Sequence, residues 1–191
     1  MASTVSIGGR HLRADVTMAG LGLISGLLSI SLALESASWL QPVANLFGLV
    51  PELMPIGFYF GVAVALGIWL ATGNLWAIPV LLVTTMYAWS AAIQVAIRLQ
   101  RNSGDDPHLI AASLAAGAVG ATLTHLGCAV FSRSLRRPLA IAVTCVVGAV
   151  AGMLFYLGER RYIDARLLYL AWQPAVAFCI GMGLAGRSRD A

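Results

Sequence analysis

The chain alternates long apolar runs with short polar segments. Six runs stand out: residues 16–34, 56–71, 75–97, 109–131, 138–157 and 167–185, none with Asp, Glu, Lys or Arg at its centre. A helix rises about 1.5 Å per residue and a bilayer core is about 30 Å thick, so runs of this length can cross it. Lipid leaves an open sheet edge unsatisfied, so the runs are expected as helices, with no β-strand. The pattern predicts an all-α integral membrane protein, residues 1–191 forming a single polytopic domain of six transmembrane helices.

The run 109–131 is expected at the centre of the bundle. Ala112, Ala116 and Gly120 share one line along it, and Ser113, Gly117 and Ala121 the next. A helix with such small faces gains contact only where other backbones approach it. The same logic applies to the pairs Gly22/Gly26, Gly57/Gly61 and Gly148/Gly152, which are expected to be buried against other helices.

The segments between the runs refine this outline. Residues 1–15 are polar, and the run that follows is longer than the apolar core of a usual signal peptide, so it is read as a retained helix. Residues 35–55 are apolar but broken by Pro42, Pro51 and Pro55, which suggests a short helix at the interface with Trp39 at headgroup depth. Thr72, Gly73 and Asn74 form a tight turn. Counting three spans and three spans gives two halves of opposite topology. Trp76 and Pro79 in the third run, against Trp172 and Pro174 in the sixth, are the pattern expected of an inverted repeat with paired helix interruptions.

Composition sets the environment. Of 191 residues 59% are hydrophobic and 10% charged, with mean hydropathy +0.84. The net charge of +4 comes from arginine, with no lysine. The arginines stand in short clusters between apolar runs, which fits topology signals and lipid headgroups and argues against nucleic acid. With both termini inside, the inner segments hold Arg10, Arg13, Arg133, Arg136, Arg137, Arg187 and Arg189, and the outer ones Arg98, Arg101, Arg160, Arg161 and Arg166. Positive residues favour the cytoplasmic side, so a bacterial inner-membrane protein with cytoplasmic termini is expected.

Candidate chemistry is sparse. A carrier coupled to protons or sodium usually buries a carboxylate, and none lies deep in a span. His125 is an ionisable side chain within a span, so it is expected to face the interior and find a partner. Thr122, Gln94, Ser90 or a carbonyl freed by Pro79 or Pro174 are the expected partners. His125, Gln94, Gln173, Thr122 and Tyr87 are the candidate binding residues. Cys145 and Cys179 share the depth of His125, with Cys128 a turn shallower, so a His/Cys layer is a conceivable metal site, although no CxxC or HxxxH spacing supports one. No cofactor follows from the residues. Paired carboxylates, Ser-His-Asp order and a phosphate loop are missing, which weighs against an enzyme. His108 with Asp105 and Asp106 is read as a solvated loop.

Three functions remain open. The first is a pocket or path for a small solute, formed by a homo-oligomer or by one subunit of a larger transport assembly. The second is a membrane-anchored interaction, regulatory or effector protein that works through partner subunits and membrane lipids. The third is a membrane redox or metal-binding protein using the His/Cys layer.

Overall fold

A computed structural model describes residues 4–7, 10–32, 54–100 and 105–185. Two strands, β1 (Thr4–Ile7) and β2 (Arg10–Arg13), precede α1 (Ala14–Leu32). Five more helices follow: α2 (Met54–Thr72), α3 (Ala77–Gln100), α4 (Asp106–Ala129), α5 (Pro138–Glu159) and α6 (Leu167–Ala185). A 3-10 turn, Arg133–Arg136, lies between α4 and α5. All six helices are long and apolar enough to cross a membrane, so the chain is a multi-pass membrane protein of all-helical class. The interfacial helix expected over 35–55 falls almost wholly outside the described residues.

The expectation of no β-strand fails at the N-terminus, where β1 pairs antiparallel with β2 and Ile7 stands opposite Arg10. The argument from unsatisfied backbone holds only inside lipid. The hairpin precedes the first apolar run, where water can satisfy its edges. Directly after it, Arg13 Nη2 donates to Asp15 at 2.6 Å in the first turn of α1. That hydrogen bond, helped by the carboxylate's charge, raises the Arg13 pKa further above its ordinary value, so Arg13 stays a cation at the membrane face.

Proline sets several helix starts. Pro55, Pro79, Pro107 and Pro138 all fall in the first turn of their helices, where the missing N–H has no partner to lose. Pro174 alone of the described prolines lies inside a helix. Gly73, at φ +71°, makes the turn between α2 and α3, and Thr72 and Asn74 side chains bond the backbone around it. Only a residue without Cβ takes that φ cheaply.

The helices form a ring in chain order. Each packs on its sequence neighbours, and α6 closes the ring on α1. Glycine marks most of these contacts. Gly22 and Gly26 of α1 meet the α6 backbone at Pro174 and Tyr169. Gly57 and Gly61 of α2 meet α3 around Thr85, and Gly67 receives Met18 of α1. Gly117 of α4 faces Gly148 and Gly152 of α5 so closely that a Cβ on any of the three would overlap the other helix. The three GxxxG faces are therefore buried against helices. The opposite faces, such as Leu23, Ile24 and Leu27 on α1 and Leu139, Val146 and Val150 on α5, are exposed apolar surface for lipid.

Two finer expectations change. The ring gives no support to an inverted repeat. Both halves run round it in one sense but start in opposite directions, so they have opposite hand, and no in-plane two-fold superimposes them. Pro79, sitting in a first turn, is also no counterpart of the interrupting Pro174. Nor is α4 central. The most enclosed span is α2, with 56% of an 18-residue stretch buried against 39% of the same length in α4. The small faces of α4 serve its two ring neighbours, Gly117 toward α5 and Gly127 toward α3, while Leu114 and Leu126 stay exposed.

Candidate functional site: a cavity inside the ring

Among the described residues, the ring interior is densely packed toward one end and holds a cavity toward the other. Packing is dense toward the ends where α1, α3 and α5 begin and α2, α4 and α6 finish. Met18, Ile68, Leu81, Cys128, Leu135 and Ile180 are almost wholly buried there in one cluster. Leu135 comes from the connection between α4 and α5, and its side chain lies against Gly183 of α6. The connection thus folds inward and fills that end of the ring.

His125 fastens this connection. It is 0% exposed, with Nε2 2.9 Å from the Leu135 carbonyl oxygen and Nδ1 2.8 Å from the Thr144 hydroxyl. A carbonyl only accepts, so Nε2 carries a proton. In the neutral ring, Nδ1 accepts from Thr144, whose hydroxyl also has the Ala140 carbonyl at 2.9 Å as an alternative acceptor. Arg136 adds a second tie by donating from Nε to the Ala129 carbonyl at 2.9 Å. The partners expected for His125 are thus replaced by Thr144 and a loop carbonyl.

The other half of the ring holds a cavity of about 250 Å³ between α3, α4, α5 and α6. It is lined from Gln100 and Leu168 near the membrane face down to Trp89 and Gly117. From Gln100 to Trp89 is eleven residues, a depth of about 16 Å at the helical rise. One wall is aromatic. Trp89 of α3 meets Tyr169 and Trp172 of α6 at centroid distances of 5.9 and 6.1 Å, and Phe60 of α2 backs Trp172 at 5.4 Å. The facing wall is small: Ser113, Ala116 and Gly117 of α4 and Gly152 of α5. Among the described residues no Asp, Glu, Lys or Arg lines it. Charges gather beyond it, where Asp105 pairs with His108 at 2.6 Å and Arg160 pairs with Asp106.

The residues singled out from the sequence are scattered. Gln173 is wholly buried, accepting from Ser25 at 2.5 Å and donating to Ser29 at 3.1 Å, which ties α1 to α6. Gln173→Leu should cost about 1 kcal/mol, the scale of hydrogen bonds between membrane helices, measured by unfolding in mixed micelles. A loss above about 3 kcal/mol would contradict this. Gln94 accepts from Arg98 at 3.4 Å on the same helix. Tyr87 is 56% exposed and stands away from the cavity, and Thr122 is half-buried and is not a hydrogen-bond partner of His125, whose two ring nitrogens go to Thr144 and Leu135. Among the described residues no three His, Cys, Asp or Glu side chains gather as a metal-ligand set, so the structure does not assemble His125, Cys128, Cys145 and Cys179 into one.

None of the residues that line the cavity was among the binding candidates from the sequence, although Ser113, Ala116, Gly117, Gly152 and Trp172 stood out for other reasons. Tryptophan usually sits at the membrane interface. Trp89 lies in the body of its run, and that position was the available signal. No family model matches the chain, and no curated protein or solved structure gives a significant match.

Proposed function

We propose that the protein is a membrane binding protein that takes an uncharged, largely apolar molecule into the ring cavity from one membrane face. The observation that carries this reading is a cavity whose walls among the described residues are apolar and uncharged, in a ring whose other end is filled by Leu135. A pocket fits that shape better than a continuous path. Under the arginine distribution the mouth faces outward from a bacterial inner membrane, and the termini are cytoplasmic. The absence of a deep carboxylate weighs against a coupled carrier, so delivery to a partner subunit or a second copy is the role assigned. An engineered apolar cavity of about 150 Å³ binds benzene, so about 250 Å³ suits a molecule of roughly ten non-hydrogen atoms.

The test uses 1-fluoronaphthalene and the full chain in nanodiscs, followed by ¹⁹F NMR. A bound resonance separate from the lipid-partitioned one is expected. It should vanish in Ala96→Phe, because Ala96 lines the cavity and the added ring fills it. A single lipid-like resonance with the native chain would defeat the reading.

A further inference from the structure

The aromatic wall carries unused hydrogen-bond donors. The indole N–H groups of Trp89 and Trp172 are buried and have no acceptor among the described residues. Trp172 is only 4% exposed. Buried donors of this kind are rare in folded proteins, because each forfeits its bond to water and gains nothing in return. The two rings that carry them meet edge to face in the wall of one cavity, with the Tyr169 ring beside Trp89. A wall built only to grip hydrocarbon would need no such groups, and phenylalanine would serve as well.

We propose that the cavity selects an uncharged ring compound bearing a carbonyl or similar acceptor, which is held through the donors of Trp89, Trp172 and Tyr169. This rests on the pocket reading above and narrows its ligand class. Four features of the wall agree. The rings of Trp89, Trp172, Tyr169 and Phe155 offer faces and edges to a flat partner. The described lining offers no charge to pair with a bare ion. The volume suits one or two fused rings. The Nε1 atoms are enclosed at present, so a ligand engages them as the indoles turn. The edge of the Trp172 ring packs at Gly120, where a Cβ would stand 3.2 Å from it. An acyl chain, the obvious rival in a membrane, would leave all three donors unused.

The experiment is competition against bound 1-fluoronaphthalene, with each competitor's free concentration corrected for partition into lipid. Tetralin and 1-tetralone differ by one carbonyl oxygen, and decane stands for an acyl chain. The ketone should displace the reporter at a concentration at least tenfold below that of tetralin. Trp172→Phe and Tyr169→Phe should each shrink that ratio severalfold, the ketone losing more than tetralin does. Tyr169→Phe removes a hydroxyl alone and keeps the test alive if the tryptophan variant misfolds. Equal competition by ketone and hydrocarbon would overturn the acceptor preference and leave the pocket standing, as would decane competing best. Failure of the reporter to bind the native chain would remove the pocket and this inference together.

Discussion

Gly148→Leu is expected to be among the most destabilising single substitutions in the protein, at about 3 kcal/mol, the upper end of the overpacking range. Two effects compete. Leucine is the better helix former, by somewhat less than the roughly 0.8–1 kcal/mol that separates glycine from alanine in a soluble helix. Against that, a Cβ at position 148 overlaps the Ala121 methyl and the Gly117 carbonyl of α4. The second of these is backbone, which cannot turn aside as a flexible side chain would. The remaining three carbons of leucine would then push α4 and α5 apart along the ladder that runs from Ser113 and Gly152 to His125 and Thr144. Gly20→Leu is the control, because nothing lies within 4 Å of a Cβ there and the residue is exposed. It should be neutral or slightly stabilising. Unfolding of both variants in mixed micelles decides the matter. Equal stabilities would mean that α4 and α5 separate at little cost and that the glycines are not there for contact.

The six helices were legible because lipid imposes one rule on all of them: a run that crosses must be apolar and helical throughout. The glycine pairs were legible for a related reason, since a small residue in such a run has little purpose except close approach. What the pairs do not encode is the partner. Gly22 could meet any neighbour, and only the ring shows that it meets Pro174 of α6 rather than α2. The ring order depends on short connections and on the closure of α6 on α1, which no local pattern announces. The same limit hid the cavity. Trp89 and Trp172 are 83 positions apart in the sequence, and only that closure sets them face to edge. Residues chosen for polarity, such as Gln94 and Tyr87, proved peripheral because the cavity is built mainly from apolar side chains. The three functions left open are not equally placed. The exposed apolar faces suit lipid or partner subunits, and the proposed pocket rests on the cavity alone.

His125→Phe should lower stability by about 2–3 kcal/mol while leaving the cavity able to bind. Phenylalanine keeps much of the ring volume, so the loss is mainly of hydrogen bonds. Thr144 can turn its hydroxyl to the Ala140 carbonyl and lose little. The Leu135 carbonyl has no such alternative among the described bonds, and an unsatisfied buried acceptor costs about 1–3 kcal/mol. The consequence should be local as well as global. Once the carbonyl is released, the connection holding Leu135 loosens, and Leu135→Cys becomes reactive toward a membrane-impermeant maleimide in the His125→Phe background but not in the native one. Binding separates this structural role from a ligand-holding one. Gly117, at the cavity, and His125 are eight residues apart on α4, about 12 Å at the helical rise, with the packed half of the ring beginning between them. The folded fraction of His125→Phe should therefore give the same 1-fluoronaphthalene resonance as the native chain. A variant that kept native stability yet lost that resonance would place His125 in the binding site and would assign the packed end of the ring a part in holding the ligand.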